Sequence, residues 1–105
     1  MDRSSPQFDK VLHQPIRLST VAYLVRCGGS APFTRINELI GIPNGHLSMH
    51  NRVLADEGYV EMRKSFVDRR PHTLLVLTPK GRRAFANHKA ALDAMTEAPA
   101  MEAAG

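Results

Sequence analysis

The sequence predicts one mainly α domain with a small β-hairpin, an α+β arrangement whose elements run α-α-α-α-β-β-α. Three observations carry that reading. Apolar residues recur at three- and four-residue spacing up to about residue 57. The pattern then changes to runs rich in Tyr, Val, Phe, Thr and Leu over 59–66 and 72–77, on either side of a turn-rich tip. Finally, Thr78-Pro79 pairs a helix N-cap residue with a first-turn proline and opens a last helical stretch.

Each element follows from local chemistry. Phe8, Val11 and Leu12 mark a short first helix that Pro15 ends or bends. Pro15 also stands near the start of a second helix to Arg26, with Leu18, Val21, Ala22 and Val25 on one face. The segment 27–32, Cys-Gly-Gly-Ser-Ala-Pro, reads as a breaker loop. Thr34 is the expected N-cap of a third helix that turns Ile36, Leu39 and Ile40 inward and stops at Gly41. A fourth helix spans about 44–57, with Leu47, His50 or Asn51, and Leu54 on its apolar stripe, and Gly58 closes it. In the last helix Phe85, His88, Leu92 and Met95 share a face.

The chain has 105 residues, 43% of them hydrophobic and 23% charged, which suits one domain with one modest core. We place that domain at 1–95 and expect a frayed start over 1–6 and a disordered Ala-, Glu- and Pro-containing tail at 96–105. Arg17, Arg26 and Arg35 interrupt the longest apolar region, so no membrane span is expected. No apolar segment follows the first residues, so no secretory signal is expected either. Cys27 is the one cysteine, expected as a small buried thiol. The expectation is a reduced, cytoplasmic domain.

Charge is unevenly distributed. Residues 60–83 hold seven basic and two acidic side chains, more than the whole chain's excess of +4. Two short helices joined by a tight turn and followed by a basic hairpin make a winged helix-turn-helix. Its fourth helix would enter a major groove about 12 Å wide. With Leu47 and Leu54 inward, His46, Ser48, Met49 and Arg52 face outward. Ser48 and His50 can donate to phosphate oxygens, and the Arg52 fork fits guanine O6 and N7. Asn44 is either a helix cap or a phosphate ligand, and His50 is either a DNA contact or a packing residue. Arg69 and Arg70 stand at the wing tip. Arg63 and Lys64 fall on opposite strand faces, and Lys64 is assigned to the DNA side. Arg17 is expected to pair with a carboxylate inside the fold.

Enzyme readings find little support. The five histidines lie on separate elements, apart from His46 and His50, whose i, i+4 spacing lacks a third ligand. No metal or other cofactor is expected, and no catalytic residues are assigned.

The chain resembles stand-alone winged-helix DNA-binding domains related to the MarR and ArsR regulators. The likeness runs over about 8–92. It is carried by Phe8-Asp9-Lys10-Val11-Leu12-His13-Gln14-Pro15-Ile16-Arg17-Leu18, Gly45-His46-Leu47-Ser48-Met49-His50, Gly58-Tyr59-Val60, Lys64-Ser65-Phe66, Arg69-Arg70-Pro71-His72-Thr73 and Leu77-Thr78-Pro79-Lys80-Gly81-Arg82. The chain departs from the usual pattern at Pro43 and His46, which stand where Thr and Asn are common. The resemblance implies a transcription regulator, commonly a repressor, with the 47–50 helix in the major groove and the wing on backbone or minor groove.

Phe8, Val11 and Leu12, with Phe85, Leu92 and Met95, supply apolar surface for a symmetric homodimer on a pseudo-palindromic operator. Any small-molecule effector, of unknown identity, would sit between the dimer helices and the wing domain. A second reading remains open: a winged-helix protein-interaction module that does not bind DNA.

Overall fold

The computed structural model describes the backbone of residues 8–104 and the side chains of 8–96. The expectation for residues 1–6 lies outside the described residues. Seven elements follow in order: α1 (Pro15–Arg26), β1 (Ser30–Pro32), α2 (Phe33–Ile40), α3 (Asn44–Asp56), β2 (Val60–Val67), β3 (Arg70–Leu77) and α4 (Pro79–Ala104). The three strands form one antiparallel sheet in the order β1-β3-β2. The α+β winged-helix class is as the sequence predicts, with differences at both ends and in the middle.

The expected first helix is a single turn. The Asp9 carboxylate accepts from the Val11 and Leu12 amides at 2.9 and 3.0 Å, and the His13 amide donates to Asp9 O. A side chain that competes this well for backbone donors closes a turn without propagating a helix. Leu12, expected at a dimer surface, is fully buried in the core. The expected breaker loop contains β1, which pairs Ser30, Ala31 and Pro32 with Val76, Leu75 and Leu74 of β3. Cys27, expected buried, is exposed at the C-cap of α1.

Helix ends explain where the chain turns. The Gln14 side chain caps α1 through the Arg17 amide at 2.9 Å. The end of α1 is a Schellman closure: Gly29 N–H reaches Leu24 O and Gly28 N–H reaches Val25 O, with both glycines at positive φ. The end of α3 repeats it, Tyr59 to Leu54 and Gly58 to Ala55, with Gly58 at φ 83°. Helix α2 starts one residue before Thr34, after Pro32, so Thr34 is not its cap. Leu39, expected inward, is exposed, because an eight-residue helix buries only Ile36 completely. At 96–104, where a frayed tail is expected, the backbone of α4 continues to Ala104.

The core gathers Leu12, Val21, Leu24, Ile36, Leu47, Leu54 and Leu75 from the N-terminal turn, α1, α2, α3 and the sheet. Four polar side chains join them: Thr20, His50, Asn51 and His88. Thr20 donates to Ile16 O at 2.9 Å. Arg17, expected opposite a carboxylate, instead donates to Val11 O at 2.7 Å and meets His50 Nδ1 at 3.2 Å. His88 Nδ1 accepts from the Asp9 amide at 3.0 Å.

Burial lowers the pKa of both histidines. Nearby Arg17 and His46 add to the effect at His50; His13 adds at His88, against an opposing pull from Asp9. The unfolded chain takes up these protons near pH 6.5 and the folded chain only at lower pH. Between those values the unfolded state binds more protons, so stability falls as pH drops through that window. Urea midpoints should be level above about pH 7 and decline toward about pH 5.5, and the double variant His50→Gln/His88→Gln should lose most of that slope.

Two glycines should respond in opposite ways. A Cβ on Gly81 would stand 2.1 Å from Tyr59 O and 2.9 Å from Leu77 Cδ1, whereas one on Gly45 meets nothing within 4 Å. Gly81→Ala should destabilise by at least the ~1–3 kcal/mol typical of overpacking. Gly45→Ala should gain up to about 1 kcal/mol from helix propensity, both read by chemical denaturation.

Candidate nucleic-acid interface

The inward stripe of α3 is Leu47, His50, Asn51 and Leu54. Helical periodicity then sends Asn44, His46, Ser48, Met49 and Arg52 outward, and all five are exposed. Ser48 and Arg52 are one turn apart on the same side. His50 is the exception among the assigned DNA contacts. It is 8% exposed, and its ring is held by Arg17, so it is a packing residue and leaves the set. Asn44 is the first residue of α3 and not its cap; its Oδ1 accepts from Asn37 Nδ2 at 2.5 Å, which ties α3 back to α2.

The wing stands beside this face. Ser48, Asn51 and Arg52 of α3 line a cleft of about 200 Å³ together with Met62 and Lys64 of β2 and Thr73 of β3. Lys64 and Thr73 are register partners and therefore point to the same side of the sheet. Arg63 points to the opposite side and bonds Glu61 at 3.3 Å. Lys64 and Arg63 thus lie on opposite faces of the sheet, Lys64 on the face toward α3.

Asp68 and Arg69 form the two-residue tip at φ 51° and 66°, the backbone pattern of a type I′ hairpin turn. Arg69 projects from the tip, and Arg70 pairs with Val67 on the side away from the cleft.

The basic cluster seen along the sequence is divided in space. Lys64, Arg69 and Arg70 belong to the wing. Lys80 and Arg83 border a different cleft of about 370 Å³ with Asp9, Tyr59 and His88, and Lys80 Nζ lies 5.7 Å from the Tyr59 ring centre. The Tyr59 hydroxyl donates to Asp9 Oδ2, and burial followed by that bond raises its pKa.

Sequence reasoning did not single out Thr73, whose only signal is its register opposite Lys64. Nor did it foresee that both amide atoms of fully buried Asn51 have no hydrogen-bond partner among the described residues. Among those residues no group of His, Cys, Asp and Glu has a metal-binding arrangement, and no helix is long and apolar enough to cross a membrane.

Comparison with known proteins agrees with this geometry. The family model described as "Winged helix DNA-binding domain" matches residues 16–96. An uncharacterized protein of Methanocaldococcus jannaschii is 30% identical over 79 residues, covering 75% of this chain and 85% of that one. The solved structure of a transcriptional regulator homologue from Pyrococcus horikoshii superimposes with a TM-score of 0.77 at 30% identity, over 83% of this chain and 85% of that one. A MarR-family regulator from Rhodococcus shares the fold with a TM-score of 0.68 at 20% identity, over 84% of this chain and 64% of its own. The chain belongs to the winged helix DNA-binding domain family, and it shares its fold with a MarR-family transcriptional regulator.

Proposed function

We propose that the chain is a sequence-specific double-stranded DNA-binding regulator acting as a homodimer. In this reading the outward face of α3 enters the major groove and the wing holds adjacent backbone or minor groove. The observation that carries it is the shared cleft: Ser48 and Arg52 of the helix and Lys64 of the wing lie on one continuous surface. Phosphate contacts from Ser48 and Lys64 would fix the register, and the Arg52 fork, with His46 and Met49 beside it, would read base edges. Regulation follows from occupying a promoter, which in the simplest case represses it.

Few phosphates lie within reach of one such domain, so two linked copies are needed for specific binding at physiological salt. Phe8 and Met95 are exposed, and Val11, Phe85 and Leu92 are half-buried, which leaves an apolar surface for a second copy along the N-terminal turn and α4. A two-fold dimer would set its recognition helices about 34 Å apart on a pseudo-palindromic site.

Titration by fluorescence anisotropy, with duplexes selected from a random DNA pool, tests the reading. Binding should weaken steeply with salt. Arg69→Ala/Arg70→Ala removes four cations from the homodimer and should reduce the log–log salt slope by about 3.6, at roughly 0.9 for each phosphate no longer neutralised. Arg52→Ala should cost about 1–3 kcal/mol in each half-site of the selected duplex and relax preference at one base pair in each. Arg63→Ala should change little. Recovery of no bound duplex at low salt would transfer the assignment to a protein-interaction module.

Met95→Lys should shift the mass measured by light scattering toward the monomer, whereas Leu12→Ala, at a fully buried position, should destabilise the fold by about 2–5 kcal/mol in chemical denaturation. A wild-type mass that stays monomeric at micromolar concentration would remove the dimer.

A further inference from the structure

Phe66 is the most exposed large apolar side chain among the described residues, at 75%. Its position is fixed by register. Met62 and Lys64 of β2 line the cleft against α3, so Phe66, two residues further, lies on the same side of the sheet. Its cross-strand partner is Pro71, which stands two residues before Thr73, another lining residue of that cleft. Phe66 and Pro71 therefore continue the cleft wall to the wing tip, about 7 Å beyond Lys64 at the usual strand rise. Beside this apolar end stand Lys64, Arg69 and Arg70, against one acid, Asp68.

That combination selects the partner. An apolar ring that serves packing or solubility has no reason to sit at the far end of a hairpin with three-quarters of its surface exposed. A second copy of the wing would bring an equally cationic tip against it, and the like charges would repel. A polyanion with an apolar interior accessible through a narrow groove satisfies both features at once. Base pairs stacked between two phosphate chains are such an interior.

Resting on the DNA-binding reading above, we infer that Phe66, backed by Pro71, is a wedge that enters the minor groove and partly unstacks one base step per half-site, while the flanking cations hold the phosphates. Inserted apolar side chains of this kind open a step and bend the duplex. The energy needed depends on the step, and TA and CA/TG steps open most readily. The wing therefore contributes sequence preference without a hydrogen bond to a base, at a position separate from the one read by Arg52.

The test uses the full chain and a duplex recovered by the selection, with 2-aminopurine substituted in turn at adenines beneath the wing. Binding should raise the fluorescence at one step per half-site. Phe66→Ala should remove that rise and weaken binding about tenfold for each half-site, within the range measured for loss of one aromatic–base stack. Phe66→Leu should keep most of both, because leucine also wedges. Replacing the TA or CA step with AA should weaken the wild type but leave Phe66→Ala nearly unchanged. Circular dichroism should show all variants folded, since the side chain is exposed.

A duplex that binds the wild type with no fluorescence rise at any step overturns the wedge and leaves the DNA-binding reading standing. A rise that persists in Phe66→Ala does the same. Failure of the wild type to bind any duplex overturns both.

Discussion

Everything outward in this molecule depends on how the chain is knotted at Gly58-Tyr59. Helix α3 closes there on a left-handed glycine, Gly58, and β2 leaves two residues later at Val60. The start of α4 closes over the same point: the Thr78 amide donates to Tyr59 O at 3.0 Å, and the Thr78 hydroxyl donates to Gly58 O at 2.6 Å. That hydroxyl also accepts from the Gly81 amide at 2.9 Å, so a single side chain caps α4 and fastens it to the end of α3. The Tyr59 ring then reaches the N-terminal turn through its bond to Asp9, whose amide in turn donates to His88 of α4. Recognition helix, wing, terminal helix and N-terminal segment thus share one joint. Its hydrogen bonds are part-buried, where directional bonds hold geometry better than apolar contact alone.

The joint fixes the direction of α3, and the buried stripe fixes its rotation. Leu47 and Leu54, two turns apart, set the inward side. His50 lies between them and is held by Arg17, whose guanidinium also takes the carbonyl of Val11. A half-buried guanidinium without a carboxylate is tolerable here because its neighbours are a carbonyl and an imidazole whose pKa is lowered, so the ring accepts and does not compete as a second cation. The rotation of the helix about its axis is therefore determined at three points along one buried stripe. What faces outward is a consequence of that rotation.

Much of this was legible in the sequence, and the reasons differ by element. The α3 stripe, the hairpin and the Thr78-Pro79 start each rest on a pattern several residues long that one local rule decides. The short strand β1 has three residues, one of them proline, and nothing local distinguishes it from a loop; it exists because β3 offers an edge to Ser30–Pro32. The N-terminal turn misled in the opposite way. Phe8, Val11 and Leu12 have helical spacing, but Asp9 captures the amides that a helix would need. Leu12 then fills the core, and no sequence pattern separates a core leucine from an interface leucine on so short a segment. His50 was ambiguous because periodicity gives the side of a helix but not how deeply that side is packed. The basic cluster at 60–83 was real in composition, yet a hairpin followed by a helix sends Lys64 to one cleft and Lys80 and Arg83 to another.

The wing tip shows a local rule broken for a stated return. A two-residue type I′ turn is made most easily by Asn-Gly, because both positions need positive φ. Here Asp68 and Arg69 occupy them. Aspartate visits that region at modest cost, but an arginine there is strained by roughly 1–2 kcal/mol relative to glycine. Glycine would relax the turn and remove the cation from the point that extends furthest toward a partner. A strained residue persists where the surrounding structure holds it, and the paired strands on both sides, Val67 with Arg70 and Phe66 with Pro71, provide that hold. Strain, charge and exposed aromatic surface therefore coincide within six residues at the end of the hairpin, the part of the fold that contributes least to its core. Folding alone gives no reason for that coincidence; contact between the wing and a polyanion gives one.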